Sequence, residues 1–275
     1  MNTENVNPRS KNFDEKSTIE MLRIINNEDK TVADAVEKAL PQIAEAVDVI
    51  AEGIKKGGRI IYVGAGTSGR LAVQDAAECT VTYGVKPGTV TAVMAGGKEA
   101  VFSPSENIED NYETGFSDIN DFNLTPYDSV VGISASGNAD YVCGAIDAAG
   151  KAGANTVAIL CNTHGKIADS AQFSICVPTG AEVICGSTRM KAGTAQKMIL
   201  NMLSTITMVK LGRVHGNFMT WMSPTNKKLE KRAKFIISQL CNVSEEVAGK
   251  LLAENNNEIH KVVENFEIKG RKNYD

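Results

Sequence analysis

Apolar residues return every three or four positions through the early part of the chain. Val32, Ala35, Val36, Ala39 and Leu40 form one stripe, and Ile43, Val47, Ile50 and Ile54 form the next. A helix start is predicted at Ser17-Thr18, where Glu20 completes a capping signature. Pro41 suits a first helical turn, so a second helix is predicted to begin between the two stripes. Lys55-Lys56-Gly57-Gly58 closes it, and residues 1–18 read as an irregular arm.

From Arg59 the pattern changes to short apolar runs separated by helical segments. "RIIYVGAG" predicts a buried strand, followed by a helix over about 68–79. Further strands are predicted at 88–97, 129–137, 155–162 and 173–180, with helices over about 139–151 and 189–212. Strands alternating with helices imply a three-layer αβα sandwich around a mainly parallel five-stranded sheet. After Asn226 the chain becomes charged and helical. Three regions are expected: an arm and helices over 1–48, the sheet domain over 49–213, and a linker with a short helical module over 214–275.

Composition narrows the function classes. A net charge of −4 over 275 residues gives no basic footprint for nucleic acid. Lys227-Lys228 and Lys231-Arg232 alternate with acids, as on a solvated helix face. No run approaches the roughly 18 apolar residues of a membrane span, and the polar N-terminus does not resemble a signal peptide. Cys79, Cys143, Cys161, Cys176, Cys185 and Cys241 lack paired spacing, which predicts free thiols and a reducing cytoplasm. His164, His215 and His260 stand far apart, so no zinc site is expected.

Candidate chemistry gathers in three loops. "GAGTSG" at 64–69 matches G-x-G-x-x-G after a strand, where backbone N–H groups at a helix start bind phosphate. A dinucleotide site also places an acid at the end of the second strand, but that strand ends in Met94-Ala95-Gly96-Gly97. "SASGN" at 134–138 and "CGSTRMKAGTAQK" at 185–197 add more hydroxyls after later elements. Donors converging from three loops suit a compact phosphate ester better than an extended cofactor. Gly66, Thr67, Ser68, Ser134, Ser136, Gly137, Asn138, Ser187, Thr188 and Lys191 are the candidate binding residues. Among carboxylates, Glu78 and Glu109 stand beside Asp75, Glu106, Asp110 and Glu113, and spacing alone does not choose. Glu78 lies eleven residues beyond Thr67, about 16 Å along an unbroken helix. Either that helix ends early or Glu78 serves a site shared with a second subunit.

"GRIIYVGAGTSGRLAVQDAAEC", "TYGVKPG", "GSTRMKAGTAQKMILNMLST" and "LGRVHGNFM" together closely resemble the N-acetylmuramic acid 6-phosphate etherases, as does "NPRSKNFDEKSTIEMLRIINNEDKTVADAVEKALPQI". The resemblance runs from about residue 5 to about residue 240 and implies a sugar isomerase (SIS) domain at 49–213. It implies cleavage of the D-lactyl ether at C3 of the phosphorylated amino sugar, giving N-acetylglucosamine 6-phosphate and D-lactate, in the recycling of peptidoglycan sugars. Glu78 matches the family's acid and Glu109 its base. No metal or organic cofactor is implied, and a homodimer is. The helical module of the family is longer, so the one here is expected to be truncated.

Three stretches depart from the family pattern. Thr80-Val81 replace two prolines after Glu78-Cys79, Asn138 replaces an arginine, and "TWMSPTN" at 220–226 replaces an apolar run. Trp221 there is expected to pack rather than stack on sugar. Two other readings remain: a non-catalytic sugar-phosphate regulator resembling the glucokinase regulatory proteins, or an aldose–ketose isomerase. An NAD enzyme is disfavoured by the missing acid.

Overall fold

The computed structural model describes residues 2–103 and 108–272. The chain forms two compact units, one of Met1–Ala77 with Gly88–Thr207 and one of Glu78–Pro87 with Met208–Asp275. The first opens with α1 (Thr18–Glu37) and α2 (Leu40–Lys55). The Glu20 carboxylate accepts from the Ser17 backbone N–H at 2.9 Å, the arrangement their spacing predicts. Pro41 occupies the first turn of α2, where a missing N–H breaks no helical bond.

Five strands follow: β1 (Ile60–Gly64), β2 (Val90–Met94), β3 (Ser129–Ser134), β4 (Asn155–Leu160) and β5 (Phe173–Cys176). Their order is β2-β1-β3-β4-β5 and every pairing is parallel. The crossovers are α3 (Gly66–Tyr83), α4 (Tyr112–Asn120), α5 (Asp140–Lys151) and α6 (Lys166–Ser170), and α7 (Lys191–Lys210) comes after β5. Alternation along β1 divides the layers. Ile61 and Val63 pack with Ile119 of α4, Val142 and Ile146 of α5 and Ile167 of α6. Tyr62 points the other way and its hydroxyl donates to Asp75 of α3 at 3.1 Å, while Asn201 of α7 donates to the same carboxylate at 2.7 Å. The result is the three-layer αβα sandwich. Each strand stops short of its sequence-predicted end, because the residues beyond turn into the Gly- and Ser-rich loops.

Helices α4 and α6 lie where the apolar pattern predicts none. In α4 only Ile119 is a fully buried apolar side chain, so periodicity is faint. Tertiary bonds to α5 hold it instead: the Tyr112 hydroxyl donates to Asp147 at 2.8 Å, and the Tyr141 hydroxyl donates to Asp118 at 2.6 Å.

The second unit contains α8 (Lys227–Cys241), α9 (Glu245–Glu254) and α10 (Ile259–Lys272). Ala233, Ile237, Ala248, Leu252, Ile259 and Val262 form its core. Asn226 and Ser244 cap α8 and α9 through their side chains. Among the described residues no helix is long and apolar enough to cross a membrane.

Candidate active site

β1 is flanked by β2 on one side and β3 on the other, so the chain leaves it in one direction and returns across it. That reversal places the loops after β1 and β3 side by side, at the switch point where ligands bind in sheets of this kind. The turn from β1 into α3 is tight. A Cβ on Gly64 would fall 2.8 Å from the Gly69 nitrogen, and one on Gly69 would fall 2.6 Å from the Gly64 carbonyl oxygen. Two of the three glycines are therefore required by strand and helix backbones in contact. Gly66 takes φ +51°, which a side chain would strain. The Gly69 N–H donates back to Ala65 O at 3.1 Å. The N–H groups of Gly66, Thr67 and Ser68 precede that bond, and they belong to a helix start that attracts anions.

Next to this turn lies a cavity of about 230 Å³. Gly66, Thr67 and Ser68 line it from α3, Ser134 and Ser136 from the β3 loop, Thr188 from the segment before α7, and Glu109 and Glu4 from farther away. Among the described lining residues there is no Lys, Arg or His. The donors the cavity offers an anion are neutral, hydroxyls and backbone N–H groups, beside the two carboxylates of Glu109 and Glu4. The Ser68 hydroxyl bonds to Gln196 Oε1 at 3.0 Å, while Gln196 Nε2 is buried without a partner among the described residues. Among the described residues no group of three or more His, Cys, Asp or Glu could hold a metal ion.

Glu109 stands just before α4. Its carbonyl accepts from the Tyr141 N–H at 3.0 Å, which ties it to the first turn of α5. It also lines a smaller cavity of about 110 Å³ with Arg70, whose guanidinium donates to Val101 O at 2.9 Å and Ala100 O at 2.8 Å. Although Glu109 as a whole is exposed, the partial burial of its carboxyl, and secondly the neighbouring Asp110, raise its pKa above the ordinary glutamate value.

The likeness to known proteins agrees with this geometry. Residues 42–150 match the glucokinase regulatory protein N-terminal SIS domain, and residues 104–206 match the SIS domain. An N-acetylmuramic acid 6-phosphate etherase of Clostridium beijerinckii is 49% identical over 92% of this chain and 83% of its own length. One from Escherichia coli O1:K1 / APEC is 49% identical over 93% of this chain and 87% of its own. The chain belongs to the N-acetylmuramic acid 6-phosphate etherase family. Among solved structures, phosphoheptose isomerase of Neisseria gonorrhoeae superimposes with a TM-score of 0.54 at 22% identity, covering 70% of this chain and 98% of its own. That of Francisella tularensis gives 0.53 at 16%, covering 68% and 97%. At such identities the likeness is one of fold.

The cavity gathers Gly66, Thr67, Ser68, Ser134, Ser136, Thr188 and Glu109. Gly137, Asn138, Ser187 and Lys191 are not among its lining residues. Gly137 shapes the loop with φ +78°. Asn138 is engaged within its own neighbourhood: its amide donates to Ser136 O and its side-chain oxygen accepts from the Lys166 N–H, each at 3.2 Å. Ser187 is half-buried in the turn before α7, its N–H donating to Ile184 O at 2.9 Å. Lys191 corrects the sequence-based expectation most sharply. It is 1% exposed, and its ammonium donates to Glu28 at 2.7 Å instead of facing the cavity. The start of α7 is also occupied: the Lys191 and Ala192 N–H groups donate to the buried Glu182 carboxylate at 2.9 and 3.0 Å. An internal anion thus takes the place a phosphate would need.

Glu78 is exposed and not among the described lining residues. α3 runs unbroken past it to Tyr83, so the possibility of an early helix end is ruled out. Asp75 is buried among Tyr62, Asn201 and Ser204. Asp110 and Glu113 are exposed, and Glu106 lies outside the described residues. In the second unit Trp221 packs: His260 stacks on it at 3.7 Å between ring centroids, the Arg213 guanidinium lies 4.0 Å from its centre, and its indole N–H donates to Gly212 O at 3.0 Å. Glu4 and Gln196 were missed from the sequence. A lone Glu in a polar arm and a Gln inside a helix carry no local signal.

Proposed function

We propose that the protein is a lyase that cleaves the D-lactyl ether of N-acetylmuramic acid 6-phosphate, giving N-acetylglucosamine 6-phosphate and D-lactate. Membership of the etherase family supplies the substrate class. The observation that carries the reading is a single cavity combining a phosphate-type helix start, three hydroxyl-bearing loops and Glu109. In this reading the N–H groups and hydroxyls of Gly66–Ser68, Ser134, Ser136 and Thr188 hold the 6-phosphate.

The chemistry sets the order of events. The C2 proton becomes acidic only when the ring opens to the C1 aldehyde. Glu109 takes that proton, the electrons form the C2–C3 double bond, and the C3–O bond breaks as an acid protonates the departing lactate oxygen. Water then adds at C3 of the unsaturated aldehyde, and a proton returns to C2. Each acid–base group typically contributes about 10²–10⁴-fold. We assign Glu78 as the acid. Its place eleven residues along α3 from Thr67 supports delivery by a second copy, so the working enzyme is read as a homodimer in which Glu78 of the partner subunit completes the site. A cytoplasmic setting fits the six cysteines, none of which is joined in a disulfide.

Lactate release from N-acetylmuramic acid 6-phosphate tests the activity. Glu109→Gln is expected to abolish lactate release and exchange of the C2 proton with solvent, while sugar-phosphate binding persists. Exchange at the wild-type rate would remove Glu109 from the base role. The match to the glucokinase regulatory protein SIS domain favours one other reading, a sugar-phosphate sensor. Tight binding with no lactate released by the wild-type protein would establish that reading instead.

A further inference from the structure

The cavity holds a second carboxylate that none of the motifs accounts for. Glu4 lines it from a 3-10 turn in the N-terminal arm. The arm is strapped along the segment that precedes α7. The Asn7 amide donates to Ala181 O at 3.2 Å, the Ser10 hydroxyl to Val183 O at 2.7 Å, and the Cys185 thiol to Glu4 O at 3.2 Å. The Glu4 carboxylate itself rests against Gly186, where an added Cβ would sit 3.3 Å from Oε2. Gly186 also has φ +75°, so a side chain there would strain the backbone as well as crowd Glu4.

A carboxylate offers only acceptors, and it repels a phosphate dianion. In a cavity whose polar groups, apart from Glu109, are neutral donors and hydroxyls, it has nothing to contribute to the phosphate. It suits the donors of the remaining ligand, namely sugar hydroxyls and the acetamido N–H. We propose that Glu4 is a specificity-determining residue that accepts hydrogen bonds from the sugar portion of the ligand, so that the cavity selects an amino-sugar phosphate over free phosphate. The proposal rests on the sugar-phosphate reading of the cavity and adds to it the group that reads the sugar.

The test compares Glu4→Gln and Glu4→Asp with the wild type. Four quantities are measured: kcat and KM for lactate release, inhibition by inorganic phosphate, and calorimetric binding of N-acetylglucosamine 6-phosphate. Loss of a charge-assisted bond predicts a KM about 10–100-fold higher in Glu4→Gln, with weaker sugar-phosphate binding to match. The kcat should stay within a few-fold, and inorganic phosphate should inhibit as well as before or better. Glu4→Asp, which keeps the charge, should fall between. Equal weakening of phosphate and sugar phosphate would make the arm merely structural and overturn the proposal. A fall in kcat with KM unchanged would overturn it too, by giving Glu4 a proton-transfer role. Unchanged sugar binding in Glu4→Gln sinks this inference alone. If the wild type releases no lactate yet Glu4→Gln selectively loses sugar-phosphate affinity, the etherase activity fails and the role of Glu4 stands. Wild-type protein that binds neither ligand removes both.

Discussion

Glu109 sits where two effects act in the same direction. Its partly buried carboxyl disfavours the charged form, and the adjacent Asp110 carboxylate adds repulsion, so its pKa lies above the ordinary glutamate value. A base with a raised pKa draws the C2 proton more strongly, provided the pH stays above that pKa. Protonation at low pH silences it. The acidic limb of kcat/KM should therefore lie above the ordinary glutamate value of about 4.3. Asp110→Asn removes the repulsion and lowers the Glu109 pKa, so the limb should move to lower pH while the plateau falls modestly. A pH–rate profile of the variant checks this. A limb that does not move belongs to some other group.

Among the elements, α7 shows how a motif residue can serve the fold. Lys191 opens that helix, and its ammonium meets Glu28 of α1 with side chains 1% and 3% exposed. Arg9 adds a second cation, its Nη2 donating to Glu28 at 2.8 Å. Arg9 first, then Lys191 and Asn7, outweigh burial and hold the Glu28 carboxyl down at about 2. Glu28→Ala would strand a buried ammonium, and the expected loss is about 3–5 kcal/mol in urea unfolding. Adding Lys191→Met should recover much of it. In the wild type the unfolded state binds the extra proton between the ordinary carboxylate pKa and about 2. The Glu28 contribution is thus complete above the ordinary value and fades as pH falls toward 2. Acid sensitivity in that window should be weaker in Glu28→Ala. This pair also marks the limit of what the sequence could reveal. Strands, the glycine turn and the hydroxyl loops were legible because period and turn chemistry are local. Lys191 was misread because its partner lies 163 residues away, and Glu182 at the start of α7 carried no signal of its capping role. Glu4 was invisible for the same reason.

The molecule as a whole raises the question of where the acid comes from. In the proposed site Glu109 and the Gly- and hydroxyl-bearing loops share one cavity within the chain, whereas Glu78 stands eleven residues beyond Thr67 along an unbroken α3. A site built in one chain and a site shared between two make different predictions for mixtures. Glu78→Gln and Glu109→Gln should each be inactive alone. Co-expressed, half of the dimers are mixed, and a shared site lets each mixed dimer assemble one intact pair, Glu109 from one protomer and Glu78 from the other. Lactate release should then return to about a quarter of the wild-type value, the statistical limit for a two-fold dimer. A site confined to one chain gives no recovery, because every protomer lacks one of the two carboxylates. Sedimentation reads the subunit state directly, since a monomeric protein excludes the shared site. If Glu78→Gln alone keeps wild-type lactate release, the acid lies elsewhere, and Glu4, already in the cavity, becomes the next carboxylate to replace.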